Sequence, residues 1–184
     1  MRILANQSLA LLIDVQERLF PHMQENEQLE NDLIKLIKIL ELLDVPTLVT
    51  EQYKKGLGET LPSILDAFTT IPTQAMRAEK KHFSALDDEA IQLQIQQLSP
   101  KFLLIFGIES HVCVLQTAID AKEMGFEPIV IVNAISSRKA QDKEIAIARM
   151  SAEGIRLTTI EAIAFELCRV SATDIFKAIS KLIK

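Results

Sequence analysis

Cysteine is scarce in this 184-residue chain, which has only Cys113 and Cys168. Two cysteines make neither a disulfide framework nor a metal knuckle, and they suit a reducing, cytoplasmic setting. Basic clusters are missing as well. With 20 Lys and Arg against 25 Asp and Glu the net charge is −5, so nothing in the charge pattern argues for nucleic acid or an anionic membrane as a partner. No apolar run approaches the roughly 18 residues of a membrane span. The opening "MRILANQSLALLIDVQ" resembles a secretory leader only briefly. Its apolar part is short, runs into Asp14 and has no small-residue cleavage site, so it reads as a first strand. Low-complexity tracts, repeats and Pro/Gly/Ser linkers are also lacking. One domain over residues 1–184 is the expectation.

What the chain does contain is an alternation of short apolar runs with amphipathic segments. Strands are expected at 9–15, 45–52, 74–80, 102–108, 127–134 and 155–160. Helices are expected at 31–44, 87–98, from Ser110 to Gly125, and at 141–154, 161–169 and 173–183. Strands buried on both faces and separated by helices imply a parallel sheet covered on both sides. The predicted fold is therefore a three-layer α/β/α sandwich with a mostly parallel, Rossmann-like sheet of about six strands.

Ligands of such sheets sit outside the carboxyl ends of the strands. Asp14 ends the first expected strand, Glu51 and Gln52 the second, and Lys80 the third. Gly107 to Cys113 follow the fourth, and Asn133 to Arg138 the fifth. An acid, a base and a thiol thus share one rim. In "GIESHVCVLQTAIDAKEMG", Ser110 is a candidate N-cap and Gly125 a stop. Cys113 would then be the third helical residue, where unpaired N–H groups and the helix dipole favour a thiolate. A buried, inert cysteine is the competing reading of this segment alone.

Taken together, "LLIDVQERLF", "EKKHFSAL", "GIESHVCVLQTAIDAKEMGFE" and "SSRKAQDKEIAIARM" resemble the isochorismatase-like cysteine hydrolases over essentially the full length. "TEQYKKGLGETLP" and "SSR" are most similar to the isochorismatase domain-containing subgroup. The resemblance implies a catalytic Asp14, Lys80 and Cys113. It selects Lys80 over Lys81 because the family's lysine stands four residues before the serine that is Ser84 here. It also implies a cis peptide between Ile108 and Glu109, which would aim the Glu109 N–H at the pocket.

On this reading Cys113 attacks a carbonyl carbon, a covalent thioester forms and water releases it. The backbone N–H groups of Glu109 and Cys113 form the oxyanion hole, and Asp14 carries the proton. Lys80 keeps its neighbours ionised. Phe20, Gln52, Tyr53 and Leu57 are candidate contacts for a small-molecule substrate of amide or acyl type, and a homo-oligomer is expected. Nicotinamidase-like relatives bind a divalent metal through an Asp-x-His element and further histidines after the second strand. This chain has "VTEQYKKGLGETL" there, and His22, His82 and His111 do not supply that spacing. No metal or organic cofactor is expected. Two alternatives stay open: a vinyl-ether hydrolase with Asp14 as the acid, and a catalytically idle scaffold of the same fold. Ser110 beside His111 and the glycines of "GLGETL" are read as a cap and a loop rather than as a hydrolytic pair or a dinucleotide fingerprint, and Cys168 as packing.

Overall fold

The computed structural model describes residues 1–68 and 75–184; Gln74, the first residue of the expected third strand, lies outside them. In chain order the elements are β1 (Ser8–Ile13), α1 (Asn26–Leu42), β2 (Thr47–Gln52), α2 (Lys54–Leu57), α3 (Pro62–Asp66), β3 (Ala75–Lys80), α4 (Glu89–Leu98) and β4 (Phe102–Ile108). After a π-helical turn (Ser110–Val114) come α5 (Leu115–Glu123), β5 (Glu127–Ser136), α6 (Ala140–Ala152), β6 (Arg156–Thr158), α7 (Ile160–Cys168) and α8 (Asp174–Ile183).

The six strands form one sheet in the order β3-β2-β1-β4-β5-β6, and every pairing is parallel. Parallel pairing follows from composition: every residue of β1 and β4 is buried, so neither face of these strands can meet water. Helices cover both faces. α1 lays Leu29, Leu33, Leu36, Ile37 and Leu40 into the core, and Asp88 caps α4 by accepting from the N–H groups of Ala90 and Ile91. The helix starts earlier than the expected residue 31; Asn26 to Glu30 are polar apart from Leu29, a single apolar residue in register with Leu33, so they give almost no apolar period.

The chain builds outward from β1 to β3, then returns to the other side of β1 to add β4. Strand order therefore reverses between β1 and β4, and a crevice opens beyond their carboxyl ends. The two strands meet there more closely than a side chain would allow. Gly107 pairs with Ile13 at φ +115, and a Cβ on it would fall 2.2 Å from the Ile13 carbonyl oxygen. Only glycine fits this position. On the far side Ile105 pairs with Val130 but Gly107 with Ile135, so β5 bulges between them. Asn133 rides on that bulge and accepts the Ile160 N–H at 2.9 Å. It therefore caps the start of α7 and lines a separate polar cavity near α1 and α6.

Candidate active site

Asp14 is the first residue beyond β1. Its backbone is left-handed, at φ 51, and its side chain is buried. Oδ1 accepts the Thr50 hydroxyl at 2.7 Å and Oδ2 accepts Lys80 Nζ at 2.7 Å. Lys80 is the last residue of β3 and reaches across β2 to make this bond. Its Nζ also donates to Gln52 Oε1 at 2.6 Å and to the carbonyls of Phe83 and His82 at 3.0 and 3.2 Å. The ammonium thus faces only acceptors, as a buried cation must to replace its hydration. Lys81, one residue on, is exposed, and its carbonyl accepts Gln52 Nε2 at 2.7 Å.

Cys113 arrives from the other side of the crevice, buried in the π-helical turn. That turn corrects the expected capping. The N-cap position belongs to Glu109, while the buried Ser110 hydroxyl makes no hydrogen bond within the described structure. The expectation of a ready thiolate is corrected as well. Burial first, and then the negative charge of Asp14, push the Cys113 thiol up to about 12; the Lys80 ammonium opposes both and is outweighed. A thiol raised this far is favoured over the thiolate at neutral pH. The peptide bond between Ile108 and Glu109 is cis.

Asp14 and Cys113 border a cavity of about 180 Å³, while Lys80 lies behind Asp14 and Gln52 and does not line it. Asp14, Gln52, Glu109 and Cys113 supply its polar lining, and Leu19, Leu57, Phe83 and Val112 its apolar walls. Of the four expected substrate contacts, Gln52 and Leu57 lie here. Phe20 is buried in the turn Phe20–His22 and Tyr53 is half exposed with its ring against Gly56, and neither borders the cavity.

Leu19, Phe83 and Val112 are lining residues that the sequence reading did not single out. Phe83 carried a signal, as the aromatic residue of "KKHFS" in the motif that located Lys80. Leu19 and Val112 carried none beyond adjacency to motif residues. The Glu109 side chain was also missed. Its Oε2 accepts the Arg138 N–H at 3.1 Å and the Arg138 Nε–H at 3.0 Å.

The wall that carries Leu57 is stapled down at several points. The buried Gln16 side chain donates to the Gln52 and Gly58 carbonyls at 3.1 and 2.7 Å and accepts the Gln52 N–H at 2.7 Å. Arg18 donates to the Gly56 carbonyl at 3.0 Å. Beneath the wall, Glu51 Oε1 accepts from the Thr60 N–H, the Thr60 hydroxyl and Arg77, while its Oε2 lies 3.3 Å from Lys54 Nζ. Burial alone would raise the Glu51 pKa, but the hydrogen bonds from Thr60 and Arg77 and the Arg77 charge outweigh it and hold the group below its ordinary range.

A family model described as an isochorismatase domain matches residues 8–162. Isochorismatase domain-containing protein 2A of Mus musculus is 36% identical over 185 residues, covering 100% of this chain and 85% of that protein. The chain belongs to the isochorismatase family. Solved structures of similar shape include a MAR1 ribonuclease from Caenorhabditis elegans, at 33% identity and TM-score 0.91, covering 100% of this chain and 92% of that one. YcaC of Escherichia coli, described as an octameric hydrolase of unknown specificity, has 26% identity, TM-score 0.90 and coverage of 100% and 89%. YcaC of Pseudomonas aeruginosa, solved with hexane-2,5-diol and covalent acrylamide, has 25% identity, TM-score 0.88 and coverage of 99% and 95%.

The resemblance to nicotinamidase-like relatives would put metal ligands after the second strand. In this member the buried carboxylate there, Glu51, is held by Thr60, Arg77 and Lys54. Two cations against one carboxylate do not fit a divalent ion. Among the described residues no group of three or more His, Cys, Asp or Glu side chains could hold one. Nor is any helix among them long and apolar enough to cross a membrane.

Proposed function

We propose that this isochorismatase-family hydrolase is a cysteine hydrolase of amide or acyl bonds, with Asp14, Lys80 and Cys113 as its working groups. The observation that carries the reading is the convergence of a buried Lys80–Asp14 ion pair and Cys113 on the mouth of the β1/β4 crevice, where Asp14 and Cys113 border one cavity. A thiol with a raised pKa needs a base at hand, and Asp14 is that base.

Asp14 takes the thiol proton as sulfur bonds to the substrate carbonyl carbon. The oxygen of the tetrahedral intermediate is received by the backbone N–H groups of Glu109 and Cys113. When the C–N bond breaks, Asp14 returns the proton to the departing amine and a thioester to Cys113 remains. Water, deprotonated by Asp14, attacks the thioester and frees the acid, and the proton goes back to sulfur. Lys80 holds Asp14 in place throughout and compensates its charge when it is ionised.

The Pseudomonas relative is solved with covalent acrylamide, a small electrophile, which supports a nucleophilic residue in that protein. Three solved relatives carry the ribonuclease name, yet the cavity here has carboxylates and no lysine or arginine among its lining residues, a poor receptor for a phosphodiester. The octameric E. coli relative supports a homo-oligomer, and two free cysteines suit a cytoplasmic setting.

The test is a screen of small amides and esters with the wild type and Cys113→Ala, combined with intact-protein mass spectrometry of the quenched reaction. An acyl adduct on Cys113, absent from the variant along with turnover, is the expected result. Hydrolysis that survives Cys113→Ala removes the covalent mechanism and favours Asp14 acting alone, as in vinyl-ether cleavage. No hydrolysis of any substrate favours the idle scaffold.

A further inference from the structure

We infer that the group this cavity receives is a small, uncharged, largely apolar acyl amide, and that Glu109 is the residue that turns anions away. The inference rests on the amide-hydrolase reading and narrows it to a substrate class.

Size comes first. A volume of about 180 Å³ has room for on the order of six water-sized groups, enough for a short acyl chain with its amide. The side chains that chain would meet are Leu19, Leu57, Phe83 and Val112, all apolar. Asp14, Gln52 and Cys113 also border the cavity, so on the proposed mechanism the reacting carbonyl lies beside them.

Charge then decides the class. Among the described residues two carboxylates, Asp14 and Glu109, border the cavity, and no lysine or arginine does. The two nearby cations are already committed. Lys80 is enclosed by Asp14, Gln52 and two carbonyls. Arg138 is bound to Glu109 Oε2 and its side chain is 59% exposed, so it compensates Glu109 only in part and does not line the cavity. An incoming carboxylate or phosphate would give up its hydration, find no free donor cation and sit nearer to the Asp14 and Glu109 carboxylates, which border the cavity, than to their paired cations, which do not. A neutral carbonyl meets none of these costs.

The experiment compares the alkylation of Cys113 by iodoacetamide and by iodoacetate, reagents of nearly equal size that differ by one negative charge. In each case sulfur bonds to carbon as iodide leaves and the thiol proton is lost to Asp14 or solvent. Rates are read from the mass of the Cys113 peptide, and glutathione provides the intrinsic ratio of the two reagents. Cys113 is expected to favour iodoacetamide by about tenfold or more beyond that ratio. Glu109→Gln, which leaves the Arg138 charge uncompensated, should bring the preference down toward the glutathione value. Arg138→Ala, a change at a mostly exposed side chain, should enlarge it, and this arm stands even if Glu109→Gln fails to fold.

A Cys113 ratio equal to that of glutathione, or no response to either substitution, overturns the inference. A protein that hydrolyses amides without this charge preference overturns it alone. A protein that shows the preference but hydrolyses nothing upholds the charge selection and overturns the hydrolase reading.

Discussion

Lys80 donates to Asp14 across 2.7 Å although the two residues stand 66 positions apart, and both side chains are removed from solvent. A buried ion pair adds little net stability over an apolar pair of the same shape, but removing one partner leaves an uncompensated charge. Lys80→Met should therefore destabilise the fold by about 3–5 kcal/mol and abolish turnover. Lys81→Ala, at an exposed side chain, should change neither. Urea denaturation and amide hydrolysis of the two variants check this. If Lys81→Ala is the inactive one, the working lysine has been misassigned.

Asp14 and Lys80 act on the Cys113 thiol in opposite directions, so their loss should move its titration in opposite directions. Asp14→Asn removes a negative charge that disfavours the thiolate and leaves the ammonium that favours it. The midpoint should fall from about 12, bringing more thiolate at neutral pH. Turnover should nevertheless drop by about 10²–10⁴-fold, because no base remains to move the proton. Thiolate absorbance against pH, measured alongside hydrolysis, separates the two effects. A midpoint that rises or stays would contradict the electrostatic account.

The depressed pKa of Glu51 carries a pH signature. A carboxylate held below its ordinary pKa contributes stability that is present above that ordinary value and is lost as pH falls through the folded-state pKa. The wild type should thus lose stability in acid with a steeper slope than Glu51→Gln, which lacks the titrating group. At neutral pH the same variant should be the less stable one and should show a raised KM, since Leu57 and Gln52 are held by the segment Glu51 anchors. Denaturation midpoints across the acid range, with kinetics at neutral pH, read both.

Two glycines with positive φ should differ sharply. At Gly107 an alanine methyl would meet the Ile13 carbonyl oxygen at 2.2 Å, whereas at Gly125 nothing lies within 4 Å of the Cβ position. Gly125→Ala should cost only about 1 kcal/mol, the usual penalty for a left-handed position. Gly107→Ala forces β1 and β4 apart and should yield little folded protein. Thermal denaturation and soluble yield decide it.

How far the molecule was legible follows from how local each signal is. "FLLIFGI" and "LALLI" announce buried strands because burial on both faces leaves its mark in every residue. Lys80 was reachable because neighbours on a strand point to opposite sides and one motif fixed the register. Ser110 misled because the cap rule assumes an α-helix, and a π-helical turn follows instead. The resting thiol misled because a helix terminus and a cation are visible in sequence, while burial and a carboxylate arriving from β1 are not. Arg138 on Glu109 and Arg77 on Glu51 were out of reach for a related reason: each pair is made by strands or loops that only the finished sheet brings together.

The Gln16 side chain grips the chain at Gln52 and again at Gly58, and the Gln16 backbone bridges to Thr60. The segment between these grips behaves as a cassette. Its two ends are pinned to the scaffold, and Leu57 is carried on the part that spans them. Replacement of residues 55–57 can reshape the chamber while Gln52 keeps its place on Lys80 and Lys54 its place on Glu51. New specificities on this framework are most economically sought in those three positions, with Gln16 left untouched.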